Sequence, residues 1–168
     1  MKIAVQTSLP AFQNDIGDVV RLFYGEGAAV EETQQADARL THIHEEADGE
    51  WRETFVLTDC SGRTEQSTLS APAVSGGLEE KRQKKRLIKR CCYMLFKRLS
   101  GRQPAWGSLT GIRPTRLYYQ QLEKGKTRDE ARQTLQDLFD LSQEKIDLLD
   151  EILDAQQGLM DRRSRACD

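Results

Sequence analysis

The chain has 168 residues, of which 38% are hydrophobic and 31% charged, with a formal net charge of −2. This describes a water-soluble protein long enough for one good-sized domain, or a small domain with an appendage. No apolar run approaches the roughly 18 residues that a bilayer span needs, no signal-type apolar segment follows Lys2, and the four cysteines (Cys60, Cys91, Cys92, Cys167) form neither a disulfide framework nor a C-x-x-C pair. The expectation is a cytoplasmic protein without a membrane partner.

In chain order, Met1, Ile3 and Val5 alternate as on a half-buried strand. Phe12, Ile16, Val19, Val20 and Phe23 then recur at helical spacing, with Asn14 as the expected N-cap and Gly25 as the stop. AAVEE reads as a short second strand. From Ala38 the pattern becomes a meander: ARLTHIHE, an Asp48-Gly49 turn, WRETFVLTD, a Ser61-Gly62 turn, then RTEQSTLS. Trp51, Phe55 and Leu57 share one strand face, which Glu53 interrupts. A second helix is expected from about Leu78 to Leu99, with an apolar stripe of Ile88, Cys91, Cys92, Leu95 and Leu99 and with Gly101 ending it. After Pro104 the chain reads as helices. Pro114 sits at a first-turn position ahead of Leu117, Tyr118 and Leu122, and Gly125 stops that helix. Thr127 and Glu130 spell a capping box ahead of Ala131, Leu135 and Leu138. Ser142 caps a last helix with Ile146, Leu149, Ile152 and Leu153 inward. The fold expected is α+β: a small antiparallel meander sheet with two packed helices over residues 1–102, followed by a short all-helical segment over residues 103–168.

Charge is segregated along this order. Residues 1–78 carry 13 acidic and 5 basic side chains, residues 79–102 carry 2 and 10, and residues 103–168 carry 12 and 10. The central run KRQKKRLIKR places Lys81, Arg82, Lys84, Lys85, Arg86, Lys89 and Arg90 on the second helix as a basic surface. Cations near a helix N-terminus oppose the macrodipole, so this half is expected to overhang the core and to be neutralised in part by the acidic N-terminal segment. Contact with a nucleic-acid backbone is the sharper reading of such a run. No aromatic residue interleaves it, and over its first three turns the last helix carries Glu144, Asp147, Asp150, Glu151 and Asp154 against Lys145, the wrong sign for a recognition helix. Nucleic acid is therefore disfavoured as a partner.

Few residues look catalytic. His42 and His44 lie two apart on one strand face, lack a third ligand beyond Glu45 and Glu46, and read as strand-surface histidines. Cys91 and Cys92 read as small buried hydrophobes. The stretch WGSLTGIRPTRL is the most unusual in the chain. Gly107 and Gly111 allow backbone conformations closed to other residues, Pro114 restricts Arg113 to an extended conformation, and Arg113 and Arg116 offer forks for carboxylate or phosphate. It lacks the Gly-Lys-Ser/Thr ending of a P-loop. Trp106, Gly107, Gly111, Arg113, Pro114 and Arg116 are thus candidates either for a structural connector and domain contact or for an anion-binding loop.

Together with the helices that follow, KTRDEA and LSQEKIDLLDEI, this stretch resembles the HemZ-type coproporphyrinogen dehydrogenases, oxygen-independent coproporphyrinogen III oxidase-like radical SAM proteins. In them a W-G-x-L-T-G-x-R-P-T segment lies between an N-terminal domain and the catalytic barrel. The resemblance spans roughly residues 104–155 and is only architectural over 1–100. It implies a parent oxidoreductase of porphyrin and heme biosynthesis that uses S-adenosylmethionine and a 4Fe–4S cluster to decarboxylate propionate side chains. That cluster is held by three cysteines with three and then two residues between them. Cys60, Cys91, Cys92 and Cys167 lack this spacing. The resemblance therefore implies a non-catalytic N-terminal accessory part that holds no metal or cofactor itself. Its partner would be the catalytic barrel of the same polypeptide, with DRRSRACD as a linker toward it. A free-standing module binding RNA or another polyanion through the basic 81–90 helix is the alternative.

Overall fold

The computed structural model describes the backbone of residues 1–30 and 35–165, and side chains as far as residue 156. The expected strand AAVEE is present as Ala29–Val30; its last two residues, like Cys167, lie outside the described ones. The chain divides into two compact units, Met1–Gln103 and Pro104–Asp168.

The first unit is α+β, with a mixed five-stranded sheet. Its elements are β1 (Ile3–Thr7), α1 (Gln13–Tyr24), β2 (Ala29–Val30), β3 (Ala38–Ala47), β4 (Glu50–Asp59), β5 (Thr64–Pro72) and α2 (Gly77–Ser100). The strand order is β2-β1-β3-β4-β5. β3, β4 and β5 form the antiparallel meander legible in the sequence, and Asp48 and Gly49 both adopt positive φ (53° and 76°) as a two-residue type I′ hairpin turn requires. The sheet as a whole is mixed, because β1 pairs in parallel with both β2 and β3. Helix α1 follows β1 and returns the chain to the strand's starting end, so the next strand has to run in the same direction.

α1 begins one residue before the predicted cap. A short 3-10 turn, Pro10–Phe12, leads straight into Gln13, and no side chain caps the helix, Asn14 included. Gln13 instead sends its amide Nε2 2.7 Å to the carbonyl of Val5, tying helix to strand. Gly25 ends α1 at φ 88°, and Gly101 ends α2 in the left-handed region at φ 64°. Ile16, Val19, Val20 and Phe23 of α1, and Ile88, Cys91, Cys92, Leu95 and Phe96 of α2, pack with Ile3, Val5, Leu40 and Phe55 of the sheet. Phe23 sits 5.4 Å from the Tyr93 ring and 5.8 Å from the Phe96 ring.

The second unit is helical: α3 (Pro114–Glu123), α4 (Arg128–Phe139) and α5 (Gln143–Arg165). Pro114 starts α3. At α4 the Thr127 hydroxyl accepts from the Glu130 N–H while the Glu130 carboxylate accepts from the Thr127 N–H, a complete capping box. Ser142 accepts the Lys145 N–H at the start of α5. Leu109, Tyr118, Ala131, Leu135, Phe139, Leu141, Ile146, Leu149 and Leu153 form its separate core. Polar groups tie α3 and α4 to α5. Arg132 reaches Asp147 and Asp150, each at 2.7 Å, Arg128 reaches Asp154 at 2.6 Å, and the buried Tyr118 donates its hydroxyl to Asp150. Burial, then the hydrogen bond and charge of Asp150, push the Tyr118 hydroxyl pKa up.

Candidate functional site

The glycine-rich stretch divides into an anchored half and a presented half. In the anchored half, the Gly107 N–H donates to the Pro104 carbonyl at 2.8 Å and the Leu109 N–H to the Trp106 carbonyl at 3.1 Å, which folds the chain tightly. This fold docks on the junction between α4 and α5. The Ser108 N–H donates to the Phe139 carbonyl at 2.7 Å, and the Ser142 N–H donates to the Ala105 carbonyl at 3.1 Å. The Ser108 hydroxyl also points at the Phe139 carbonyl, at 3.3 Å. Gly107, at φ 55°, lies so close that a Cβ there would fall 1.8 Å from the Phe139 carbonyl oxygen. Leu109 enters the helical core, and Trp106, half-buried, has the Lys145 ammonium 5.5 Å from its ring centre.

The presented half begins after Thr110. Gly111 adopts φ 69° with nothing within 4 Å of where a Cβ would stand. Ile112 is 44% exposed, and Arg113 and Arg116 are exposed on either side of Pro114. No hydrogen bond or ion pair to another described side chain holds either guanidinium. The first turn of α3 has no acidic residue and its N-cap makes no side-chain bond, so cations stand at a helix end that favours anions. Of the six candidates, Trp106 and Gly107 thus belong to the unit's framework, while Gly111, Arg113 and Arg116 face outward beside Pro114.

The first unit holds a polar cluster that sequence reasoning missed. His42 and His44 are not strand-surface residues: they point to the helix-covered side and converge on Glu53, which is 0% exposed. His42 Nε2 lies 2.8 Å from Glu53 Oε2, and His44 Nδ1 lies 2.8 Å from Glu53 Oε1. The Thr7 hydroxyl meets the other ring nitrogen of His42 at 2.7 Å and accepts the Leu9 N–H at 3.0 Å. His42 also stacks on Phe55, with ring centres 4.5 Å apart. One carboxylate therefore accepts from both rings, and both His42 nitrogens are engaged. Among the described residues no group of three His, Cys, Asp or Glu side chains is placed to hold a metal. The signal available in the sequence was Glu53 itself, a carboxylate between Trp51 and Phe55 on a face otherwise apolar. It becomes meaningful only with the register that sets His44 opposite Glu53.

Cys91 and Cys92 are buried neighbours on α2 and Cys60 is exposed in a turn. The Cys91 thiol donates to the Glu53 carbonyl at 3.3 Å, and burial first, then the Glu53 charge, push its pKa up to about 11. Iron–sulfur clusters need thiolates, and burial disfavours them at both positions. A thiol reagent at neutral pH should therefore label Cys60 rapidly and leave Cys91 and Cys92 unmodified in the folded chain; fast labelling of all three would refute this burial. Because the folded-state pKa of Cys91 is raised, its contribution to stability is complete below its ordinary value and is lost as pH climbs toward about 11.

The basic run is only partly a surface. Lys81, Arg82 and Arg90 are exposed. Lys84 lies 4.7 Å from the Trp51 ring centre and 3.4 Å from Glu80, and Arg86, half-buried, bonds Gln83 at 3.3 Å. Lys85 pairs with Asp15 at 2.6 Å. Lys89 is buried, at 6% exposure, between Asp15 (3.3 Å) and Asp18 (3.6 Å) of α1. Part of the run's charge is thus spent within the fold on carboxylates of the acidic segment.

No family model matches the chain. Over 51 residues it is 43% identical to the oxygen-independent coproporphyrinogen-III oxidase-like protein HemZ of Bacillus subtilis (strain 168), a match covering 30% of this chain and 10% of that protein. The chain shares distant, partial homology with a HemZ-like family. Among solved structures, a PelC dodecamer from Paraburkholderia phytofirmans aligns with 52% of this chain and 79% of its own at 20% identity, with a TM-score of 0.32. No described helix is long and apolar enough to cross a membrane.

Proposed function

We propose that this chain is a non-catalytic accessory region of an oxygen-independent coproporphyrinogen III oxidase-like radical SAM oxidoreductase, acting in porphyrin and heme biosynthesis. The observation that carries this reading is the 43% identity over 51 residues to the HemZ protein. S-adenosylmethionine and the 4Fe–4S cluster belong, on this reading, to a catalytic barrel elsewhere in the same polypeptide. Residues 1–102 form the accessory domain and residues 103–168 the connector toward that barrel. The geometry supports the connector role: the anchored half of WGSLTGIRPTRL is tied to the α4–α5 junction by backbone hydrogen bonds, and its other half holds Ile112, Arg113 and Arg116 in the open. An exposed apolar side chain flanked by two guanidiniums fits a docking surface whose partner supplies carboxylates, where a charge-assisted hydrogen bond contributes roughly 1.5–3 kcal/mol.

Two measurements test it. Reading the gene beyond Asp168 should reveal three cysteines with three and then two residues between them; a reading frame without them removes the proposal. Arg113→Ala, alone and with Arg116→Ala, should leave the melting of the 168-residue chain unchanged while weakening activity and domain packing of the full-length protein. If Arg113→Ala unfolds the chain, the arginine is an internal clamp. If activity falls with packing and stability intact, the stretch belongs to the active site.

A further inference from the structure

Strand β5 is an edge of the sheet, and the parity of its hydrogen bonds shows which groups it leaves open. At one end the Asp59 N–H donates to the Arg63 carbonyl at 3.0 Å, and at the other the Ala73 N–H donates to the Gly49 carbonyl at 2.7 Å. In an antiparallel ladder bonded pairs alternate, so Glu65, Ser67, Leu69 and Ala71 bond β4. Thr64, Gln66, Thr68 and Ser70 turn their N–H and C=O groups outward. Two other facts agree with this parity. Pro72, which has no N–H, falls on an outward position, and the Arg98 guanidinium reaches the outward Gln66 carbonyl at 2.6 Å.

An open edge of this kind is normally blunted by lysine, by inward charge, by a bulge or by brevity. β5 runs for nine residues in regular register with no bulge. In a chain that is 31% charged, its one ionisable side chain is Glu65. Its outward residues Thr64, Gln66, Thr68 and Ser70 are exposed and uncharged.

We propose that β5 is a pairing edge for the β5 of a second copy of this chain, antiparallel about a two-fold axis at Thr68. Thr68 is the midpoint of Thr64–Pro72, so this register gives the longest overlap. It sets Thr68 against Thr68, Gln66 against Ser70, Thr64 against Pro72 and Glu65 against Ala71. No charge then meets a like charge, and each outward N–H finds a carbonyl. The exposed Arg98 contact to the Gln66 carbonyl has to give way. A two-fold contact between identical strands closes on itself and joins the two sheets into one instead of building a fibre.

The test is sedimentation velocity of the 168-residue chain over a concentration series, with Thr68→Lys and Thr68→Glu. The backbone groups of Thr68 take no part in the β4 ladder, and its hydroxyl makes only a solvent-exposed contact with Thr54 at 3.2 Å. Both variants should therefore keep the fold, checked by circular dichroism. The wild type should show a concentration-dependent dimer. Each variant, which opposes a charge to its own copy, should raise the dimer dissociation constant several-fold. An equimolar mixture of the two should dimerise again. A wild type monomeric throughout, variants that dimerise as it does, or a mixture that stays monomeric would each overturn the proposal.

Discussion

Gly107→Ala should abolish the native fold of the helical unit. The added Cβ would fall 1.8 Å from the Phe139 carbonyl oxygen and 2.6 Å from the carbonyl carbon and oxygen of Asp140. These are backbone atoms at the end of α4, which cannot rotate aside as a side-chain tip can. Relief requires the Ser108–Phe139 and Ala105–Ser142 hydrogen bonds to break together and Leu109 to leave the core. The cost should exceed about 4 kcal/mol, the range reserved for severe packing conflicts. Amide NMR of the whole chain should show the resonances of residues 104–156 collapsing while those of the first unit persist. Gly111→Ala is the control. It has a comparable φ of 69° but open space around it, so only the backbone penalty of about 1–2 kcal/mol applies. Equal effects at both glycines would mean that conformation, not the close approach, makes Gly107 necessary.

The second large effect is expected at Glu53. Glu53→Ala removes the carboxylate on which both histidine rings converge, leaving His42 fully buried with a ring nitrogen unsatisfied, and opens a void beneath α2. An unsatisfied buried polar group costs roughly 1–3 kcal/mol and the void adds to it, which a urea titration of the first unit should read as a lower midpoint. Glu53→Gln keeps the shape and one acceptor and should cost less, roughly 1–3 kcal/mol. A loss below about 1 kcal/mol for Glu53→Ala would show that the cluster is dispensable for the fold.

Both effects concern contacts distant in sequence, and that divides what was legible from what was not. The Asp48-Gly49 hairpin, the stops at Gly25 and Gly101, Pro114 at the head of α3 and the Thr127/Glu130 box are governed by φ preferences and hydrogen bonds within a few residues, so the residue types themselves predict them. The apolar stripes of α1 and α2 were equally readable. The N-cap of α1 was misplaced because the Pro10–Phe12 turn and the Gln13 contact to Val5, a β1–α1 interaction, start the helix instead of a local cap. Lys89 was read as surface because its charge suggests water, whereas α1 brings Asp15 and Asp18 to it.

For the candidate site the division is sharper. The unusual composition of WGSLTGIRPTRL marked it from the start, but not which half is anchored and which is open. That depends on the Phe139 carbonyl, over thirty residues along the chain. His42, His44 and Glu53 were all visible, yet they form a cluster only because the hairpin register and the burial of one sheet face point all three side chains the same way. The sequence alone determined the α+β class of the first unit, the helical character of the second and most helix ends, because these rest on local conformational energy and periodic burial. The tertiary structure decided the parallel placement of β1, the neutralisation of Lys85 and Lys89, the convergence on Glu53 and the steric need for Gly107. Each of these depends on which distant groups close packing and loop closure bring within a few ångströms, and no local preference encodes that.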